Sequence, residues 1–171
     1  MCMDVPVEET PSYKTFVEIL GNNHLLNSAF GALFHFLFGS SPFVARLGSW
    51  LSFLPFVYFV YKIGHYFSTK LQKWAFYIPL LTTPFFIEFF GLARGYGMAM
   101  TWFMATIYFT MNYVESNSKK HLILISITGI LASLSSLSVI VAVLIIYGWI
   151  LSNWLFQLQK PILKILIHWT F

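Results

Sequence analysis

Residues 122–156 read LILISITGILASLSSLSVIVAVLIIYGWILSNWLF, without one charged side chain. As a single helix this stretch would be about 52 Å long at 1.5 Å per residue, against a hydrocarbon core of about 30 Å. Its length predicts two crossings, over 122–134 and 137–156, with the turn near Ser133-Leu134-Ser135-Ser136. Small hydroxyl side chains at that point can satisfy the backbone groups that a turn frees inside a bundle.

Three further apolar runs lie upstream. The run 96–114 ends at the polar loop Glu115-Ser116-Asn117-Ser118-Lys119-Lys120. The run 74–92 contains Pro79 and Pro84, and Arg94 marks its far end. The run 43–67 is opened by Ser41 and Pro42, a cap and first-turn pair, and contains Pro55, where a kink is expected. Before these, 24–38 predicts a helix of about 22 Å, too short to span, capped by Asn22 or Asn23 and closed by Gly39. On it His24, Asn27, Ser28, Gly31 and His35 share one narrow polar stripe, the pattern of a helix lying in the interface or lining a wet cavity. Residues 1–23 form an acidic polar segment with Asp4, Glu8, Glu9, Lys14 and Glu18, lacking the basic start and apolar core of a signal peptide. The expected fold is therefore all-α: one polytopic transmembrane helical bundle of about five spans, with an interfacial amphipathic helix near the N-terminus.

Composition agrees, since 58% of the residues are apolar and 20% aromatic while 9% are charged. A soluble domain carries roughly a quarter charged residues. The net charge of +4 does not point to nucleic acid, because the basic residues are scattered between apolar runs. Their placement reports topology instead. Two crossings within 122–156 put Lys62, Lys70, Lys73, Lys119, Lys120, Lys160 and Lys164 on one side, as cytoplasmic loops require, and leave Lys14, Arg46 and Arg94 on the other. The N-terminal segment and the Arg94 turn are thus expected on the non-cytoplasmic face. The lone Cys2 makes no internal disulfide.

Several polar groups on that outer side can carry chemistry. Adjacent carboxylates such as Glu8 and Glu9 can act as a general base on an acceptor hydroxyl, or bind a divalent metal ion that neutralises a phosphate; the alternative is a solvated acidic loop. Asn22, Asn23 and His24 can bind sugar hydroxyls or phosphate, or be a helix cap with an interfacial histidine. Arg94 has the shape to meet an anionic phosphate, or with Tyr96 can anchor the helix end; Glu88 is either functional or a neutralising neighbour. Arg46 reads as a snorkelling anchor. Phosphate-binding glycine loops, Cys/His metal spacings and serine nucleophile elbows are missing from the sequence.

An ordered series of short patterns carries a resemblance: Glu8-Glu9-Thr10-Pro11-Ser12-Tyr13, then Asn22-Asn23-His24-Leu25-Leu26-Asn27-Ser28, Leu37-Phe38-Gly39, Ala45-Arg46-Leu47 and Leu92-Ala93-Arg94-Gly95-Tyr96-Gly97. In order and spacing the series resembles the amino-terminal part of bacterial dolichyl-phosphate-mannose-protein mannosyltransferase-like membrane glycosyltransferases, the GT-C architecture. The resemblance implies an acidic motif in the first outer loop, here Glu8 and Glu9 with Glu in place of the usual Asp. It implies a donor sugar on a membrane-embedded polyprenyl phosphate, approached by Asn23 and His24, with Arg94 and Tyr96 on the same face. Family members have a membrane helix before the acidic motif and more helices after this region, so the chain is expected to be an amino-terminal piece. The function expected is transfer of a sugar from that carrier to a lipid, glycan or protein acceptor outside the bacterial cytoplasmic membrane. The alternative is a non-catalytic small membrane subunit or an inactive relic.

Overall fold

The computed structural model describes residues 24–39, 41–92 and 94–168, with the side chains of the last helix described as far as residue 155. Among the described residues there are seven α-helices, two short 3-10 turns and no strand.

Helix α1, Leu25–Phe38, stops at Gly39, whose φ of 81° lies in a region that side chains avoid. The Gly39 N–H donates to the His35 carbonyl at 2.9 Å. His24 takes the N-cap position without a side-chain cap bond, and Asn22 and Asn23, expected as caps, lie outside the described residues. The stripe of α1 turns inward at its start. His24 is buried and Asn27, Ser28 and Gly31 are half-buried, while His35 at the far end and Leu25, Leu33, Phe36, Leu37 and Phe38 are exposed. An apolar face pointing outward suits hydrocarbon rather than water.

A 3-10 turn, Val44–Arg46, is tied to Ser41 Oγ through the Val44 N–H and leads into α2, Leu47–Gly64. Pro55 removes one backbone donor within α2 without ending it. Helix α3, Lys70–Thr82, opens with a capping box in which Thr69 and Gln72 exchange bonds. Thr83 then leaves helical geometry, with ψ at 121°, because the ring of Pro84 crowds the α conformation of the residue before it. Helix α4, Pro84–Gly91, follows at a bend of 45°. The apolar run 74–92 is thus a broken pair of helices.

Helix α5, Tyr96–Ser116, ends at Asn117 in the left-handed conformation. Helix α6, Lys119–Ser135, ends where Ser136 is extended, at φ −159°. The second 3-10 turn, Leu137–Val139, starts α7, Ile140–His168.

Two segments, Val44–Gly64 and Leu137–Leu155, are long and apolar enough to cross a membrane, and the bent α3–α4 pair makes a third if counted as one span. By length and composition alone, these two or three are the candidate spans among the described residues, fewer than the five expected. Helix α6 has 17 residues, and α5 carries Thr101, Thr106, Thr110, Asn112 and Glu115 along its length.

Contacts from one end of the bundle to the other set the topology. Ser49 meets Arg94, Thr101 donates to the Ser52 carbonyl and Tyr66 meets Glu115, so α2 and α5 run parallel. Helix α6 returns antiparallel to α5, with the Thr106 and Thr128 hydroxyls hydrogen-bonded across the pair at 3.0 Å. Small buried residues, Ala105, Thr106, Thr128, Gly129 and Ala132, let these two helices approach closely, as helices do where lipid removes the hydrophobic drive for association. Phe56, Val60 and Phe90 form an aromatic-rich core between α2 and α4.

Candidate functional site

The arrangement gathers, at one end of the bundle, residues distant in sequence. Helix α6 stops at Ser135, and the start of α5 lies directly against that stop. A Cβ built on Gly95 would collide with the Ser135 carbonyl oxygen and come within 2.9 Å of His24 Nδ1, so the approach admits only glycine. His24 Nδ1 lies 2.8 Å from the same carbonyl oxygen in a buried contact. A carbonyl only accepts, so Nδ1 carries the proton and, in the neutral ring, Nε2 is left as the acceptor.

Tyr96 closes the cluster. Its ring meets His24 edge-on at 4.8 Å and 77°, and packs on Phe89 at 5.3 Å. Such geometry sets the positive ring edge of one aromatic against the face of the other. Ser136, beside the break, is buried and its Oγ has no hydrogen-bond partner among the described residues. A buried hydroxyl without a partner is uncommon in folded proteins and marks a place where a water or ligand atom would be satisfied.

Arg94 sits just before Gly95. Its carbonyl accepts from Ser49 Oγ at 2.8 Å, which fixes the turn to α2, while its side chain is exposed. The first N–H groups of α5 have no side-chain cap and add the positive end of the helix dipole on the same side. The end of the bundle therefore offers an exposed guanidinium, an imidazole acceptor, a phenol and an unsatisfied hydroxyl. Together these can bind an anion and the hydroxyl groups of a polar ligand.

Of the expected site residues, the fold brings His24 and Tyr96 into contact and puts Arg94 on the adjoining turn. Glu8, Glu9 and Asn23 lie outside the described residues. Glu88 is exposed on α4 beside an apolar groove of about 280 Å³ lined by Trp50, Phe53, Ile87 and Phe90, apart from the His24 cluster. Arg46 and His35 are exposed. Among the described residues no group of three or more His, Cys, Asp or Glu side chains is gathered in the way a metal site needs. Ser49, Ser135 and Ser136 were not expected as site residues. Their one signal is hydroxyls persisting in apolar runs, and for Ser135 and Ser136 the turn alone accounts for it.

Compared with known protein families, with curated proteins and with solved structures, the chain matches none.

Proposed function

We propose that the chain is an integral membrane glycosyltransferase, or the amino-terminal part of one, that moves a sugar from a polyprenyl-phosphate carrier to a lipid, glycan or protein acceptor. The observation that supports this reading best is the contact between His24 and Tyr96 beside Arg94, at one end of an apolar helical bundle. The motifs that carry the family resemblance contain all three residues.

In this reading the chain crosses the bacterial cytoplasmic membrane five times, with α3 and α4 as one broken span. Lys62, Lys70, Lys73, Lys119 and Lys120 lie at the end opposite His24 and face the cytoplasm. Reaction takes place at the His24 end, outside. Glu8 or Glu9 takes the proton from the acceptor hydroxyl as its oxygen bonds to the sugar's anomeric carbon and the bond from that carbon to the phosphate oxygen breaks, the phosphate leaving on its polyprenyl carrier. Arg94 balances the charge left on the phosphate, a task for which a planar guanidinium is suited. His24 and Asn23 hold sugar hydroxyls, with Tyr96 positioning the imidazole.

Membranes expressing the chain in its complete gene context, given isotope-labelled isoprenoid-phosphate sugars, provide the test. Transfer that is lost in Glu8→Gln/Glu9→Gln and sharply reduced in Arg94→Gln, at equal protein level, supports the enzyme. Well-expressed protein with no transfer from any such donor refutes it.

A second reading, a non-catalytic membrane subunit, is favoured by α7. Only 6% of its Leu137–Leu155 segment is buried within the chain, leaving Val141, Leu144, Ile145 and Trp149 exposed. A stoichiometric membrane partner cross-linked through that face, without sugar transfer, would establish the subunit.

A further inference from the structure

At the end of the bundle opposite His24, the C-terminal parts of α2 and α5 and the turn after α2 line an open cavity of about 550 Å³, with Tyr61, Lys62, His65, Tyr66, Tyr108 and Glu115 in its wall. Volumes of this order are typical of small-molecule sites. The lining holds one fixed cation and one carboxylate that do not neutralise each other. Lys62 lies over the Tyr58 ring, 5.5 Å from its centroid, and makes no ion pair among the described residues. Glu115 is exposed and, among the described residues, meets only the Tyr66 hydroxyl, a long contact of 3.5 Å. His65 is held by a bond from Nδ1 to the Tyr61 carbonyl at 2.9 Å, so that nitrogen is occupied as a donor.

This charge pattern discriminates among ligands. A plain anion would be drawn to Lys62 and repelled by Glu115, and a plain cation the reverse. A molecule carrying both charges a short distance apart satisfies both. Glu115 only accepts, and the tyrosine hydroxyls can accept as well as donate, so the lining favours a primary ammonium, which donates hydrogen bonds, over a quaternary one, which does not. Aromatic faces add cation–π attraction. The cavity also lies at the ends of apolar helices, where Tyr and Lys side chains meet lipid headgroups.

We propose that this cavity binds the phosphoethanolamine headgroup of a membrane phospholipid, its ammonium against Glu115 and the surrounding tyrosines and its phosphodiester against Lys62. The site rests on the apolar character of the helices and is independent of sugar transfer, so failure of the enzymatic reading leaves it standing.

The test is native mass spectrometry of the full chain in detergent micelles, offered equimolar phosphatidylethanolamine, phosphatidylcholine and phosphatidylglycerol with identical acyl chains. The expected result is retention of phosphatidylethanolamine about tenfold above the other two, a difference of about 1.4 kcal/mol. In Lys62→Gln/Glu115→Gln, with helical circular dichroism unchanged, that preference disappears. Equal retention of the three lipids by the wild-type chain, or a preference that survives in the double variant, overturns the proposal. Soluble glycerophosphoethanolamine should displace the lipid where glycerol phosphate does not. Equal displacement by both would overturn the zwitterionic site in favour of a simple phosphate site. The lipid comparison on the wild-type chain decides even if the double variant fails to fold.

Discussion

His24 and Ser135, 111 residues apart, meet through a buried 2.8 Å hydrogen bond from the imidazole to a backbone carbonyl. This carbonyl belongs to the last residue of α6, where the helix's own donors have run out. His24 therefore completes a helix end on another element, and the bond joins α1 to the rest of the bundle.

Replacing His24 by alanine leaves that carbonyl without its partner. A buried acceptor stripped of its donor costs about 1–3 kcal/mol. The expected outcome is a lower thermal midpoint for His24→Ala in detergent, followed by circular dichroism. An unchanged midpoint would show that the α1 contact contributes nothing to stability.

Gly95→Ala places a methyl group into the Ser135 carbonyl and against His24, so backbone must shift. Gly148, in the middle of α7, has open space around the same position. Gly95→Ala should destabilise by about 1–3 kcal/mol, the usual cost of overpacking, while Gly148→Ala should be neutral or stabilising by up to about 1 kcal/mol. Similar unfolding midpoints for the two variants would contradict the close approach of α5 to α6.

The Thr106–Thr128 bond between α5 and α6 is open to a double-mutant cycle with valine at each position. Each hydroxyl also has a carbonyl of its own helix within reach, Trp102 for Thr106 and Leu124 for Thr128. The coupling energy should accordingly be modest, about 0.6 kcal/mol as is usual between helices in membranes. Additive single effects would assign the pairing of these helices to the close fit of their small residues alone.

Burial, and after it the Glu115 carboxylate, raises the pKa of the Tyr66 phenol above its usual 10.0. A raised pKa in the folded state means that the neutral phenol is the form the fold favours. Its contribution to stability is complete below the unfolded value near 10.0 and is lost as pH rises through the folded value. In Glu115→Gln the Tyr66 pKa should fall back toward 10.0, read as the ultraviolet phenolate difference between chains with Tyr66 and with Tyr66→Phe. A titration unmoved by Glu115→Gln would leave burial and the neighbouring Tyr108 as the causes.

Local chemistry was enough to read the all-helical character and the stops at Gly39 and near Ser135 directly from the chain, though not the break of the 74–92 run at Thr83. A bilayer demands apolar runs of a set length, and the breakers act on their own neighbours: Gly39 by its φ, Pro84 by crowding Thr83, the serines near 135 by offering hydroxyls where α6 stops. Which face of α1 turns inward depended on the tertiary arrangement, since the same stripe suits an interface or a packed bundle until its neighbours are known. The meeting of His24 with Tyr96 and Ser135 is likewise invisible in any local pattern, because it requires α5 and α6 to pack through small residues so closely that the end of one meets the start of the other. Among the described residues, polar groups in an apolar bundle gain most by finding one another, and only the three-dimensional packing decides which ones can.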